Sequence, residues 1–340
     1  YCLFHCSTIT HSPSLLSFPT DFKYIRDMDL FSLKNNKLKE VNITPFKLER
    51  DIQNLIEENV EILFGLEFIC TEFKIEEFRI DSLCFNTETN SFVIIEYKKG
   101  SSYSVIDQGY SYMSKMLNNK DSFVLEYCRK KNVSVNIDIN WEDSKVIFIS
   151  PSFNSYQKNS VNFQDVPFEL WEITKFENNT ISLNQYLAQS KESINKIGRG
   201  TNNVISSVNK EVKVQNEDVF KKGLNNNQIQ IVNSISEKVS NWDGVRIDYS
   251  KKDRVQIWKN RKVVIYIDKR KNGFKTNMVR AIDFKGTVEK SKNIFNLNDP
   301  NKMFKEWNNK YKKMYQHELN SIKNIDYFII MVKQKYDSVS

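Results

Sequence analysis

The chain has 340 residues, enough for two domains with connecting segments rather than one ordinary core. A composition of 40% hydrophobic and 13% aromatic residues excludes global disorder, and no apolar run approaches the roughly 18 residues of a membrane span. Net charge is +8, with residues 1–240 summing to −4 and residues 241–340 to +12, so the basic excess lies in the last hundred residues.

In chain order, residues 1–27 lack the basic start, long apolar centre and small-residue cleavage site of a signal peptide. Met28-Asp29-Leu30 reads as a natural start, so 1–27 is expected to be an over-extended reading frame or a disordered leader. A helix is expected over 44–64, where Leu48, Ile52, Leu55, Ile56, Val60 and Leu63 recur at three- and four-residue steps before Gly65. Strands are expected over 66–74, 78–85 and 92–98, the last two joined as a hairpin by polar residues 86–91. A helix over 105–117 and strands over 145–150 and 168–174 complete a mixed α/β domain. Residues 190–227 turn polar and read as a linker with a little helix. Beyond it come a helix over 228–239, β-like runs at 245–249, 254–258, 262–267 and 278–284, and helices near 300–320 and 325–336. The domain reading is therefore a leader (1–27), an α/β domain (28–189, core 46–176), a linker (190–227) and a smaller basic α+β domain (228–340).

Five scattered cysteines without a Cys-x-x-Cys pair suit a reducing cytoplasm better than a disulfide framework. With three histidines in the whole chain, a structural zinc site is not expected.

The informative constellation is Asp81 followed by Glu96-Tyr97-Lys98. Side chains alternate along a strand, so Glu96 and Lys98 share a face, and Glu96 ends the apolar run Phe92-Val93-Ile94-Ile95, where a buried carboxylate needs a partner. The neighbouring strand supplies Asp81. Two carboxylates across a hairpin suit Mg²⁺ or Mn²⁺, and a lysine two residues on can orient an attacking water and offset charge developing on a phosphoryl group. The plain alternative is a solvated Glu–Lys pair.

Asp81…Glu96-x-Lys98 resembles the Asp…Glu-x-Lys signature of the PD-(D/E)XK nuclease superfamily. Its wording, Arg79-Ile80-Asp81…Val93-Ile94-Ile95-Glu96-Tyr97-Lys98, is similar to the branch holding archaeal mismatch endonucleases and related bacterial nuclease-like proteins. Gln108 and Tyr112 match the Gln-x-x-x-Tyr pattern of RecB-type nucleases, and one helical turn puts them on one side. The resemblance covers roughly 46–176. It implies a restriction-endonuclease-like mixed sheet flanked by helices and an acidic residue from the first helix. Glu49, Glu57 and Glu58 compete for that place; the helical wheel puts Glu49 nearest the apolar face, with Gln53 one turn away, and Glu57 and Glu58 far outside it. An exposed first-turn glutamate is the alternative for Glu49.

Asn59, near the middle of the stripe, is expected to make a structural hydrogen bond. Glu72 reads as a further ligand or as a surface residue, and Tyr97, Tyr103 and Tyr110 as base-stacking or packing aromatics. The C-terminal part resembles a small domain of unknown function attached to such nucleases. Lys251, Lys252, Arg254, Lys259, Arg261, Lys262, Lys269, Arg270 and Lys271 crowd its sheet region, with Lys269-Arg270-Lys271 the stretch expected to meet phosphate.

The reading that results is a Mg²⁺- or Mn²⁺-dependent DNA nuclease, with defence against foreign DNA as its setting and a homodimer as one assembly. Asp81, Glu96, Lys98, Glu49, Gln108 and Tyr112 form its active site. The alternative is a nucleic-acid-binding protein that keeps the fold without turnover; RNA is the other substrate.

Overall fold

The computed structural model describes residues 29–99, 104–132, 137–190, 192–194, 203–260, 262–282, 294–308 and 312–339. The expected leader 1–27, Tyr103 and Arg261 lie outside them. The chain divides into two compact units, one of Tyr1–Pro45 with Lys175–Ile181, the other of Phe46–Thr174 with Ser182–Ser340.

In the smaller unit, β1 (Phe31–Lys34) pairs antiparallel with β2 (Lys37–Glu40), an element that the sequence pattern did not reveal. Asn35 and Asn36 turn the hairpin at φ 50° and 60°, the left-handed conformation that asparagine tolerates in a two-residue turn.

In the larger unit, α1 (Glu49–Phe64) starts later than the expected residue 44. Pro45 biases the residue before it to extended backbone, and Leu48 is the N-cap, its amide donating to Asp51 at 2.9 Å. Gly65 ends the helix at φ 66°. Next come β3 (Glu67–Ile75), β4 (Phe78–Asn86) and β5 (Ser91–Tyr97), then α2 (Val105–Asn118) and α3 (Lys120–Lys131). After α3 follow β6 (Lys145–Ser150), α4 (Ser155–Ser160), β7 (Phe168–Lys175) and β8 (Ile181–Tyr186). The sheet order is β3-β4-β5-β6-β7-β8, antiparallel through β5 and parallel from β5 to β7. The mixed sheet flanked by helices that the sequence implied is therefore present.

Every residue of β5 is buried, because both faces are covered. Val93, Ile95 and Tyr97 join Ile52, Ile56 and Val60 of α1 in one core, while Phe92 and Ile94 join Met113, Met116 and Phe123 of α2 and α3 in the other. That alternation aims Glu96 at the α2 side.

The expected linker carries two helices, α5 (Asn203–Glu211) and α6 (Glu217–Lys222). Val208 and Val212 pack into the core under the first sheet and Phe220 into the next one, so polar composition concealed sparse but well-spaced apolar anchors. After α7 (Asn226–Val239) come β9 (Val245–Lys251), β10 (Arg254–Lys259), β11 (Lys262–Lys269) and β12 (Phe274–Ile282). The helix expected near 300–320 is instead β13 (Lys305–Asn308) and β14 (Lys312–Leu319). Pairing with β12 and burial of Met314, Tyr315 and Leu319 overrode the helical propensity of the lysine-rich run. The second sheet is ordered β13-β14-β12-β11-β10-β9 and packs against α7 and α8 (Ile325–Ser338).

The β4–β5 turn meets this second sheet. Glu88 accepts from the Tyr266 hydroxyl at 2.9 Å and from Gln256 Nε2 at 3.1 Å.

Candidate active site

The β4–β5 ladder runs from Asn86↔Ser91 to Ser82↔Ile95, so its next step brings Asp81 beside Glu96. Asp81 Oδ2 accepts from the Tyr97 amide at 3.0 Å. Glu96 is 3% exposed; its Oε1 accepts from Lys98 Nζ at 2.7 Å and from Gln108 Nε2 at 2.7 Å. Its Oε2 is buried without a hydrogen-bond partner. Gln108 also donates to the Tyr112 hydroxyl at 3.1 Å, which donates to the Arg79 carbonyl at 3.3 Å. Asp81, Glu96, Lys98, Gln108 and Tyr112, scattered over 32 positions of sequence, thus make one cluster at the end of β5.

Burial, and then the charge of Asp81, push the Glu96 carboxyl up to about 7 against the pull of Lys98. Burial raises Asp81 as well, opposed by the Tyr97 amide and Lys98. Burial pushes the Tyr112 phenol up, so it stays a neutral donor. Two adjacent carboxylates that resist ionising together are either a shared-proton pair or a cation site.

Glu49 does not touch this pair through any hydrogen bond the structure contains; its Oε2 accepts the Lys99 amide at 2.9 Å and so pins the backbone just past Lys98. Gln53, 6% exposed, reaches β4 and β3 from α1, donating to the Asp81 carbonyl at 3.0 Å and to Thr71 Oγ1 at 2.9 Å. It also donates to Glu57 at 2.9 Å, and Glu57 accepts from Ser82 Oγ, which meets the Tyr97 hydroxyl at 3.0 Å. The helical wheel puts Glu57 far outside the apolar face. The buried face of α1 (Ile52, Gln53, Ile56 and Val60) lies further toward Gln53 than the apolar stripe implied, so Glu57, one turn past Gln53, is half-buried beside it.

Asn59 donates to the Leu55 carbonyl at 2.8 Å, the structural role expected of it. Tyr97 and Tyr110 are buried and packed, Tyr110 edge-on to Phe168, so neither stacks on a base. Glu72 pairs with Arg50 at 2.8 Å and with Arg79 at 3.7 Å. Cys70, Cys84 and Cys128 are buried and form no disulfide, and burial pushes the Cys70 thiol up to about 12, outside nucleophilic range.

In the second sheet, part of the basic crowd is engaged within the protein: Lys252 with Glu142, Arg254 with Asp268, and Lys259 with the Tyr336 carbonyl. Lys269, Arg270 and Lys271 lie at the turn between β11 and β12, with Arg270 and Lys271 exposed and Lys269 partly buried.

Among the described residues no group of three or more His, Cys, Asp or Glu side chains is gathered to hold a metal ion. The two-carboxylate pair still suits Mg²⁺, which takes one or two carboxylates and keeps its waters. The orphaned Glu96 Oε2 is the atom such an ion would satisfy. Among the described residues, no helix is long and apolar enough to cross a membrane.

No family model matches the chain. An uncharacterized protein of Haemophilus influenzae is 45% identical over 192 residues, which is 56% of this chain; the chain spans 63% of that relative's length. A repair endonuclease from Pyrococcus abyssi superposes on 35% of this chain and 44% of its own, at 19% identity and a TM-score of 0.25. The structure of an EndoMS–dsDNA2 complex covers 43% of this chain and 64% of its own at 17% identity and a TM-score of 0.25. Pyrococcus furiosus SfsA in complex with Ca²⁺ covers 44% and 78% at 11% identity and 0.23. Superpositions this partial assign nothing by themselves.

Proposed function

We propose that the larger unit is a metal-dependent nuclease hydrolysing phosphodiester bonds in DNA, with Asp81 and Glu96 as ligands for Mg²⁺ or Mn²⁺. The observation that carries it is Glu96 Oε2, buried, unpartnered and beside a second carboxylate. A half-satisfied buried carboxylate is costly, and either a proton shared with Asp81 or a bound cation relieves it; we take the second reading. Bound there, a divalent ion would activate a water and neutralise charge on the phosphoryl oxygens.

The chain's own groups prepare that chemistry. Lys98 and Gln108 both hold Oε1, which fixes the carboxylate plane and leaves Oε2 as the open atom. The Tyr97 amide holds Asp81 Oδ2 in the same way. Lys98 Nζ, largely buried and aimed into the pair, can donate to an attacking water or to a developing phosphoryl oxygen. Glu49 and Gln53 lock the two strands that carry these groups, at Lys99 N and at Asp81 O.

The test is cleavage of single-stranded, double-stranded and branched DNA in Mg²⁺ or Mn²⁺, by the wild type and by Asp81→Asn. Cleavage by the wild type alone, abolished by chelator, is expected. DNA binding without cleavage under every cation would overturn the catalytic reading in favour of a binding protein that retains the fold.

A further inference from the structure

We propose that Arg50 and Arg79 form a seat for a backbone phosphate beside the Asp81–Glu96 pair, and that Glu72 occupies that seat until DNA displaces it. The inference rests on the nuclease reading above and names how its substrate is gripped.

The β3–β4 register carries the first part. Thr71↔Ser82 and Phe73↔Ile80 leave Glu72 opposite Asp81, one step from the candidate metal pair. An acid there is placed to become a third ligand, yet Glu72 does not turn that way. Its backbone adopts φ +50°, a left-handed conformation unusual for a non-glycine residue inside a strand. Its carboxylate reaches two guanidiniums, Oε1 to Arg50 Nη1 at 2.8 Å and Oε2 to Arg79 Nη1 at 3.7 Å.

Those arginines come from different elements that converge on the site. Arg50 follows Glu49, which pins Lys99; Arg79 precedes Asp81 by two residues, and its carbonyl accepts from Tyr112. Their side chains are 54% and 58% exposed, and that of Glu72 is 37% exposed. They are therefore accessible, unlike the buried Lys98. Arg50 by a hydrogen bond and Arg79 by a looser ion pair meet the two oxygens of one carboxylate, and two guanidiniums so placed can also meet two oxygens of a phosphodiester. An exposed carboxylate pair is held weakly, so a polyanionic strand can displace it. A charged acid left so close to a polyanion opposes binding, which makes its removal diagnostic.

Fluorescence anisotropy with labelled single- and double-stranded DNA, in chelator and with the full chain, tests this. Glu72→Gln should bind roughly two- to fivefold tighter than wild type, since it removes an exposed competing charge. Arg50→Gln and Arg79→Gln should each bind more weakly, and together should flatten the salt dependence by about one phosphate's worth of counterion release. Thermal melts of each variant check folding, and all three side chains are exposed enough to be replaced singly. Unchanged or weaker binding by Glu72→Gln overturns the proposal, and loss of Mg²⁺ binding in its calorimetry would assign Glu72 to the metal instead. If the wild type binds DNA with these shifts but never cuts it, the seat stands and the catalytic reading falls. If it binds no DNA, both fall.

Discussion

Replacing Glu96 by Gln separates a site built for a cation from an ordinary buried ion pair. In metal-free protein the Glu96 carboxyl titrates near 7 instead of 4.5, because burial and Asp81 disfavour its charge. The sign follows from linkage: a folded-state pKa above the unfolded value gives stability that is full below about 4.5 and lost as pH rises through about 7. The displacement corresponds to roughly 3 kcal/mol at alkaline pH. Glutamine keeps the shape and the acceptor for Lys98 and Gln108, and turns its amide toward the position of the orphaned oxygen, where Asp81 can accept from it. Part of the gain is returned because Lys98 loses its charged partner, so a net stabilisation on the order of 1–2 kcal/mol is expected at pH 8. Urea unfolding in chelator at pH 5 and pH 8, repeated with Mg²⁺, measures it. The variant should exceed wild type at pH 8, lose that advantage at pH 5, and gain nothing from Mg²⁺. A variant less stable than wild type at pH 8 and equally stabilised by Mg²⁺ would refute the assignment of Oε2 as the cation's ligand atom.

Lys98→Ala should keep Mg²⁺ binding by calorimetry and lose about 10²–10³-fold in turnover, as when one electrostatic stabiliser is removed. Gln53→Leu should cost about 1–3 kcal/mol in unfolding experiments, since it strips donors from the Asp81 carbonyl and Thr71 while leaving Glu57 part-buried. Gly109→Ala should lower the melting temperature by overpacking worth about 1–3 kcal/mol, because its Cβ would lie 2.7 Å from the Phe168 ring. Reversing Arg270 and Lys271 to Glu should weaken DNA binding and flatten its salt slope by about one for each phosphate no longer neutralised; an unchanged slope would mean this turn faces something other than DNA.

The sequence determined most of the α/β domain and the members of its candidate site. Apolar periodicity marked α1, α2 and the β4–β5 hairpin to within a few residues, because each buries a regular face in a core that tolerates little else. Alternation along β5 sufficed to put Glu96 and Lys98 on one side, and helical spacing did the same for Gln108 and Tyr112. Tertiary structure alone decided which oxygen stays open. The orphaned Oε2 exists because Lys98 and Gln108 both choose Oε1, and no spacing rule encodes that choice. The same holds for Glu57, drawn in because the buried face of α1 includes Gln53 one turn before it, and for Glu72, whose left-handed backbone accompanies its pairing with arginines from α1 and β4. The strands at Lys305–Asn308 and Lys312–Leu319 misread as helix for a related reason. Their lysine-rich run carries little pattern of its own; pairing with β12, distant in sequence, supplied hydrogen bonds and burial for Lys312–Leu319, and the exposed Lys305–Asn308 pairs with that strand in turn.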